Sequence, residues 1–215
     1  MYVTLDGPEA TGKTTLLNLL VDELRKEGYS VLLTKEPGST HSKLCQEWRN
    51  QLLNTTEAID PITELMLFMV DRSHHMNSVI KPNVKHSIVL SDRSAISGYV
   101  YGVSNGVPGK KITDALELIS QIKPDISFVS HADFNWSMEK MTSRGTLDRV
   151  EQMGREFHKK IHKEFREIRH NKFLNWNVMA LPETSVNDAK EIVKQMKEKI
   201  LQAIKERGTD EQYKV

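Results

Sequence analysis

Residues 7–14 read Gly7-Pro8-Glu9-Ala10-Thr11-Gly12-Lys13-Thr14, and no other stretch restricts the fold so tightly. A Gly-x-x-x-x-Gly-Lys-Thr loop works only where a strand runs into it and a helix leaves it. Its backbone N–H groups must turn inward, with the positive end of a helix dipole behind them. The flanks meet both needs: Tyr2-Val3-Thr4-Leu5-Asp6 is short and β-rich, and Thr15–Leu24 is apolar with helical spacing. Lys13 adds a full positive charge, and Thr14 offers a hydroxyl suited to Mg²⁺. Gly7, Pro8, Ala10, Thr11, Gly12, Lys13, Thr14 and Thr15 are therefore expected to cradle the phosphates of a nucleoside triphosphate. The destination of the γ-phosphate is the next question.

The rest of the chain alternates strand-like and helical runs. Strands are expected at Tyr2–Asp6, Ser30–Thr34, Ile88–Ser91, Ile126–Val129 and Asn177–Leu181, apolar with little alternation, as for strands buried on both faces. Helical patterns lie at Lys13–Lys26, Ser42–Leu53, Pro61–Val84, Ala95–Tyr101, Ile112–Ile122, Asn135–Ser143, Asp148–Arg169 and Val186–Arg207. Strand alternating with helix predicts an α/β fold: a five-stranded parallel sheet with helices on both faces, a three-layer sandwich. One domain is expected over 1–208, with a lid at about 140–150 and a polar, frayed tail at 209–215.

The charge balance, 30 Lys plus Arg against 29 Asp plus Glu, weighs against broad nucleic-acid binding. A single cysteine, Cys45, excludes an internal disulfide framework and reads as a small buried apolar residue. The chain starts on a strand and holds no apolar run long enough to span a bilayer, so a cytoplasmic protein without membrane contact is expected.

Three further stretches carry chemistry. Thr34-Lys35-Glu36-Pro37-Gly38 follows the second strand, at the end of a parallel sheet that faces the ligand crevice, although it also reads as an ordinary turn. Ile88-Val89-Leu90-Ser91-Asp92-Arg93 is an apolar strand ending in an acid. Asp92 is placed to reach a Mg²⁺ shell or to cap the next helix, and Arg93 to reach a phosphate. In Arg144-Gly145-Thr146-Leu147-Asp148-Arg149-Val150-Glu151, two arginines flank a Gly-bearing turn. That suits a loop closing over phosphates, or a solvated loop with Asp148 as a cap.

With these residues in hand the chain resembles the thymidylate (dTMP) kinases, a branch of the P-loop nucleoside monophosphate kinases, over almost its whole length. The matches run in order: the loop with its internal Glu9; Glu36-Pro37-Gly38; Leu67-Phe68-Met69-Val70-Asp71-Arg72, then Val79-Ile80-Lys81-Pro82; Asp92-Arg93 with Ser97 and Gly98; and Arg144 through Glu151, followed by Phe157. The resemblance implies a phosphotransferase that moves the ATP γ-phosphoryl to dTMP, giving dTDP for dTTP synthesis, with ATP and Mg²⁺. Lys13, Arg93, Arg144, Arg149 and Glu9 would be catalytic. Thr14 and Asp92 would hold the metal. Glu9, Glu36, Pro37, Arg49, Phe68, Arg72, Arg93, Ser97 and Gly98 would bind substrate. Within that set, Glu9 would approach the sugar 3′-hydroxyl or the metal shell, Phe68 would stack on the base, Arg72 would hydrogen-bond it and Arg49 would grip the monophosphate. Because Ala10 leaves the phosphate loop without an arginine, the lid arginines are favoured for the catalytic charge. The family is often dimeric, and the long third helix is the expected interface of a homodimer.

Departures fall near the acceptor: Ser94 where the family carries Tyr or His, Ser39 where a second glycine is usual, and no glutamine around Val100-Tyr101-Gly102. Two alternatives stay open, a related kinase with a changed acceptor (a modified deoxypyrimidine nucleotide or a base in DNA) and a nucleotide-driven regulatory ATPase. Elsewhere the bland readings are preferred. His158 and His162 belong to a charged, exposed helix face, and His74 and His75, which follow Arg72 and could lie near the acceptor site, read as helix-surface residues. Trp136 and Trp176 look structural, and Trp48 is expected to pack under the Arg49 loop.

Overall fold

The computed structural model describes residues 1–119, 122–168 and 175–214. Five parallel strands, β1 (Tyr2–Asp6), β2 (Val31–Lys35), β3 (Ile88–Asp92), β4 (Ile126–Val129) and β5 (Val178–Ala180), form one sheet in the order β2-β3-β1-β4-β5. The central register, Leu5 opposite Asp92 and Asp6 opposite Val129, brings the C-terminal ends of β1, β3 and β4 level beneath the phosphate loop.

Successive strand residues point to opposite faces, and the two cores follow that rule. Val3, Leu5, Ile88, Leu90, Ile126 and Phe128 face α1 (Lys13–Lys26) and the C-terminal α9 (Ala189–Glu206). The opposite face carries a core built from α3 (Pro61–His75), α5 (Ala95–Ser104), α6 (Gly109–Ile119) and α8 (Arg155–Glu167). Leu20 and Leu24 on α1 are fully buried; truncating either to alanine removes a contribution of about 2–5 kcal/mol. The remaining helices are α2 (Lys43–Asn54), the single turn α4 (Lys81–Asn83) and α7 (Phe134–Thr142).

The parallel α/β sandwich and the limits of α1 match expectation. Several other boundaries differ, for local reasons. The helix expected over Pro61–Val84 is interrupted by a π-helical stretch at Met76–Ile80, which widens the turn just before Pro82. The helix expected from Asp148 begins only at Arg155. The Asp148 carboxylate instead accepts from the N–H groups of Val150 and Glu151, and Gly154 stands at the true N-cap. α9 likewise starts at Ala189, capped by Asp188, rather than at Val186. Of the helices expected over Ile112–Ile122 and Asp148–Arg169, Ser120, Gln121 and Arg169 lie outside the described residues.

The tail is not frayed. Asp210–Tyr213 forms a 3₁₀ turn with Tyr213 buried; Ser30 N–H donates to the Tyr213 carbonyl at 2.8 Å, Tyr29 Oη to Asp210 at 2.5 Å, and the Lys214 ammonium sits 3.8 Å from the Tyr29 ring centre. No helix among the described residues is long and apolar enough to cross a membrane.

Candidate active site

The phosphate loop leaves β1 and closes on α1. Gly12, the N-cap of α1, has φ 79°, a backbone that glycine adopts without strain. A Cβ on Gly7 would lie 2.3 Å from Ser130 Oγ, so the loop lies directly on the end of β4. Thr11 bridges to the same serine at 2.8 Å. Lys13 is buried, its ammonium donating to the Pro8 carbonyl at 2.5 Å. Burial and the neighbouring Arg93 guanidinium push it down to about 8. An ammonium held this way gains when phosphate oxygens arrive. Thr14 Oγ1 lies 3.3 Å from Asp92 Oδ2, which sets two hard oxygen donors together at the mouth of the loop. The cap of α5 is Ser94, not Asp92.

Arg93 has φ 75°, a left-handed conformation that costs an ordinary residue about 1–2 kcal/mol. Hydrogen bonds from its N–H to the Leu5 carbonyl and from Ser91 Oγ to its own carbonyl hold it there. The result sends the guanidinium back under the phosphate loop, donating to the Gly7 carbonyl at 2.9 Å, to Ser97 Oγ at 3.2 Å and to Glu9 at 2.7 Å. Tyr101 closes the cluster: its hydroxyl donates to Glu9, and its ring lies 5.1 Å from the Arg93 guanidinium. Burial alone would raise Glu9 and lower Arg93. Their mutual attraction wins in both, so the carboxylate sits below and the guanidinium above its ordinary range.

Asp6 is the support beneath. Fully buried at the end of β1, it accepts from Ser94 N–H and Oγ and from Ser97 N–H and Oγ, at 2.6–3.1 Å. Ser94 thus ties α5 to the sheet as well as capping the helix. Neither Asp6 nor Tyr101 stands among the residues expected in the site. The signal for Asp6 was present, an acid closing an otherwise apolar strand directly before the loop.

The opposite wall is built on the turn after β2. Glu36 is buried against Arg72, while His75 Nδ1 lies 2.8 Å from its other oxygen; burial pushes the Glu36 carboxyl up, but Arg72 and His75 outweigh it and hold it low. His75 is therefore no surface residue: it is fully buried, and its Nε2 lies 2.8 Å from Thr34 Oγ1. His74 meets the Trp48 ring edge-on, so Trp48 packs on α3. Gly38, at φ 84°, lies so close to α2 that a Cβ would fall 2.5 Å from Arg49 Cβ. Arg49 donates to the Pro37 carbonyl at 2.9 Å, and among the described residues no carboxylate lies within ion-pair distance of it. Asp71 receives the Gly38 N–H, and burial together with Glu36 pushes it up to about 6.

The phosphate loop and the turn after β2 open into one cavity of about 290 Å³. Its walls include the loop residues Glu9 to Thr15, Glu36, Pro37, Arg49, Phe68, Arg72, Asp92, Arg93, Ser97, Gly98 and Arg144. Gly7 and Pro8 stand behind it, contributing their carbonyls to Arg93 and Lys13. Arg149 is not in the wall. It is ion-paired with Glu64, its Nε donates to the Leu52 carbonyl at 3.0 Å, and it fastens the loop between α7 and α8 to α2 and α3. Arg144 is exposed in the same loop, 3.8 Å from Glu151. His158 and His162 also depart from expectation, since both are buried on the inner face of α8. Burial pushes His162 down to about 4, and its ring meets Phe134 edge-on. Cys45 is buried as expected, its thiol pushed up to about 11.

Comparison with known proteins agrees with this geometry. The family model described as thymidylate kinase matches residues 5–200. A thymidylate kinase of Pseudomonas fluorescens strain Pf-5 is 34% identical over 169 residues, 77% of this chain and 80% of the relative. One of Pseudomonas syringae pv. syringae is 38% identical over 162 residues, 73% and 76% of the two chains. The crystal structure of thymidylate kinase from Ehrlichia chaffeensis superposes with a TM-score of 0.70 at 25% identity, covering 94% of this chain and 98% of that one.

Proposed function

The chain belongs to the thymidylate kinase family, and we propose that in its cavity the γ-phosphoryl of ATP passes to the 5′-phosphate of dTMP through the charges of Lys13, Arg93 and Arg144. The activity is phosphorylation of dTMP by ATP. One observation carries it. The phosphate loop and the acceptor wall of Arg49, Phe68 and Arg72 open into a single cavity, with Arg93 between them.

An acceptor phosphate held by Arg49 places one oxygen in line with the γ-phosphorus. The P–O bond to the new oxygen forms as the bond to the ADP leaving oxygen breaks, so no covalent enzyme intermediate is needed. Lys13 leaves the Pro8 carbonyl for the β- and γ-phosphates. Arg93, rigid on its left-handed backbone, donates to the group in transfer. Arg144 swings in from the lid, while Arg149 keeps the lid attached to α2 and α3. Glu9 holds Arg93 and presents its remaining lone pairs toward the sugar. Phe68 offers a stacking face, and Arg72 a donor for a thymine carbonyl oxygen. Thr14 and Asp92, oxygen donors 3.3 Å apart, fit Mg²⁺ and would hold it. When bound, it neutralises charge on the β- and γ-oxygens.

The reading extends to a cytoplasmic homodimer. Ile62, Met66 and Val70 form an exposed apolar stripe at helical spacing along α3, which supports a helix-to-helix interface between copies.

Coupled ADP release measured across dTMP, dUMP, dCMP, dGMP and ribo-TMP tests the assignment. Turnover on dTMP and dUMP well above dCMP and dGMP is expected. A preference for dCMP or dGMP would overturn the base assignment.

A further inference from the structure

Behind the acceptor wall runs a buried chain of side chains that the transfer itself does not use. Ser39 Oγ lies 2.9 Å from Thr34 Oγ1, Thr34 Oγ1 lies 2.8 Å from His75 Nε2, His75 Nδ1 lies 2.8 Å from Glu36 Oε1, and Glu36 Oε2 pairs with Arg72. All five residues are buried. Hydrogen-bond chemistry gives the chain a direction. A carboxylate offers only acceptors, so His75 Nδ1 carries a proton. With the imidazole neutral, Nε2 accepts from the Thr34 hydroxyl. That hydroxyl in turn accepts from Ser39, whose oxygen also accepts the His41 N–H at 3.2 Å. The Ser39 and Thr34 hydroxyls and the His75 ring N–H then each meet an acceptor, in one direction from the turn after β2 to Glu36.

We propose that His75 is a positioning residue for acceptor-base selection, fixing the Glu36 carboxylate so that Arg72 presents its donors at one angle to the base. The proposal rests on the reading of Arg72 as the base contact. Ser39, where the family's usual second glycine would supply no hydroxyl, belongs to the same device: it anchors the far end of the chain. A buried polar chain of this kind specifies geometry only while each link is satisfied. Breaking it near the middle leaves Glu36 with Arg72 alone and frees the pair to rotate.

The experiment compares His75→Leu, His75→Gln and Thr34→Val in steady-state kinetics with dTMP and dCMP. His75→Leu fills the volume and removes both hydrogen bonds. It is expected to raise the dTMP KM about tenfold and shrink the dTMP-over-dCMP preference about tenfold, the scale of one misaligned specificity contact. Turnover number and the ATP KM are expected to stay within about threefold. The amide of His75→Gln can donate to Glu36 and accept from Thr34, and is expected to restore the preference. Thr34→Val is close to isosteric and removes only the far link, so it gives the same signature more weakly should the leucine variant fold poorly. In the unsubstituted protein, long-range ¹⁵N–¹H correlation is expected to show Nδ1 protonated and Nε2 bare. Turnover and both KM values moving together at constant preference would overturn the proposal, as would a glutamine variant identical to leucine or the opposite tautomer. Arg72→Ala separates the two levels. Preference lost there but intact in His75→Leu sinks the role of His75 alone, whereas preference intact in Arg72→Ala sinks the base contact beneath it.

Discussion

Gly38→Ala is the sharpest test of how Arg49 is aimed. Two costs are legible in the structure. At φ 84° an alanine pays roughly 1–2 kcal/mol for a left-handed backbone. Its Cβ would also fall 2.5 Å from Arg49 Cβ and 2.4 Å from Arg49 Cδ. The side-chain end can swing away, but Arg49 Cβ is fixed to the backbone of α2, so the helix itself must shift. Overpacking of that kind costs about 1–3 kcal/mol. Together the costs are roughly 2–5 kcal/mol, a fall in thermal midpoint of about 5–15 °C for a domain of this size. Moving α2 also moves the guanidinium away from the place the proposed function gives the acceptor phosphate. Losing one charge-assisted contact of about 1.5–3 kcal/mol predicts a dTMP KM about 10- to 150-fold higher. Gly106→Ala is the control: φ is 92°, no atom lies within 4 Å of the added Cβ, and the site is elsewhere, so strain acts alone. Calorimetry and initial-rate kinetics on both variants separate the terms. If Gly38→Ala shows the dTMP KM of Gly106→Ala, then Arg49 does not grip the acceptor.

Lys13→Met is expected to lower the turnover number severely while leaving the thermal midpoint unchanged or slightly higher, since a desolvated ammonium is removed from a buried place; circular dichroism melts and ADP release check this. The two lid arginines are expected to separate. Arg144→Ala slows phosphoryl transfer by about 10³-fold at unchanged stability, whereas Arg149→Ala mainly destabilises, by about 3 kcal/mol, because the buried Glu64 loses its half-buried ion-pair partner. ATP affinity, measured by titration calorimetry, is expected to be flat below pH 8 and to weaken above it. Phosphates bind the protonated Lys13, which deprotonates at about 8 in the free protein, so each further pH unit removes most of the remaining binding-competent form until the higher pKa of the bound state is reached. Flat affinity from pH 7 to 9.5 would remove Lys13 from the phosphate contact.

What was legible in the sequence is what local chemistry fixes. The loop motif placed Gly12 and so set the start of α1, and the apolar runs marked the five parallel strands. Side chains whose partners lie far along the chain were harder. Asp6 meets Ser94 and Ser97 across about ninety residues, and nothing near Asp6 announces them. Arg149 looked like a second lid cation until Glu64 appeared beside it. The helical histidines were misread although their period was visible: His158, Ile161, His162 and Phe165 recur at three and four residues, the spacing of a buried face. Lys159, Lys160 and Lys163 lie on the opposite side and dominated the composition. The tail failed for the same reason in miniature, since one aromatic residue, Tyr213, anchors an otherwise polar segment.

This cavity is expected to pass the γ-phosphoryl of ATP to dTMP rather than to water. A single-turnover reaction with γ-labelled ATP and excess dTMP, quenched and resolved by product, tests this. The label is expected in the β-phosphate of dTDP, and is expected to stay on ATP when dTMP is omitted. Label released as inorganic phosphate at the same rate with and without dTMP would contradict it.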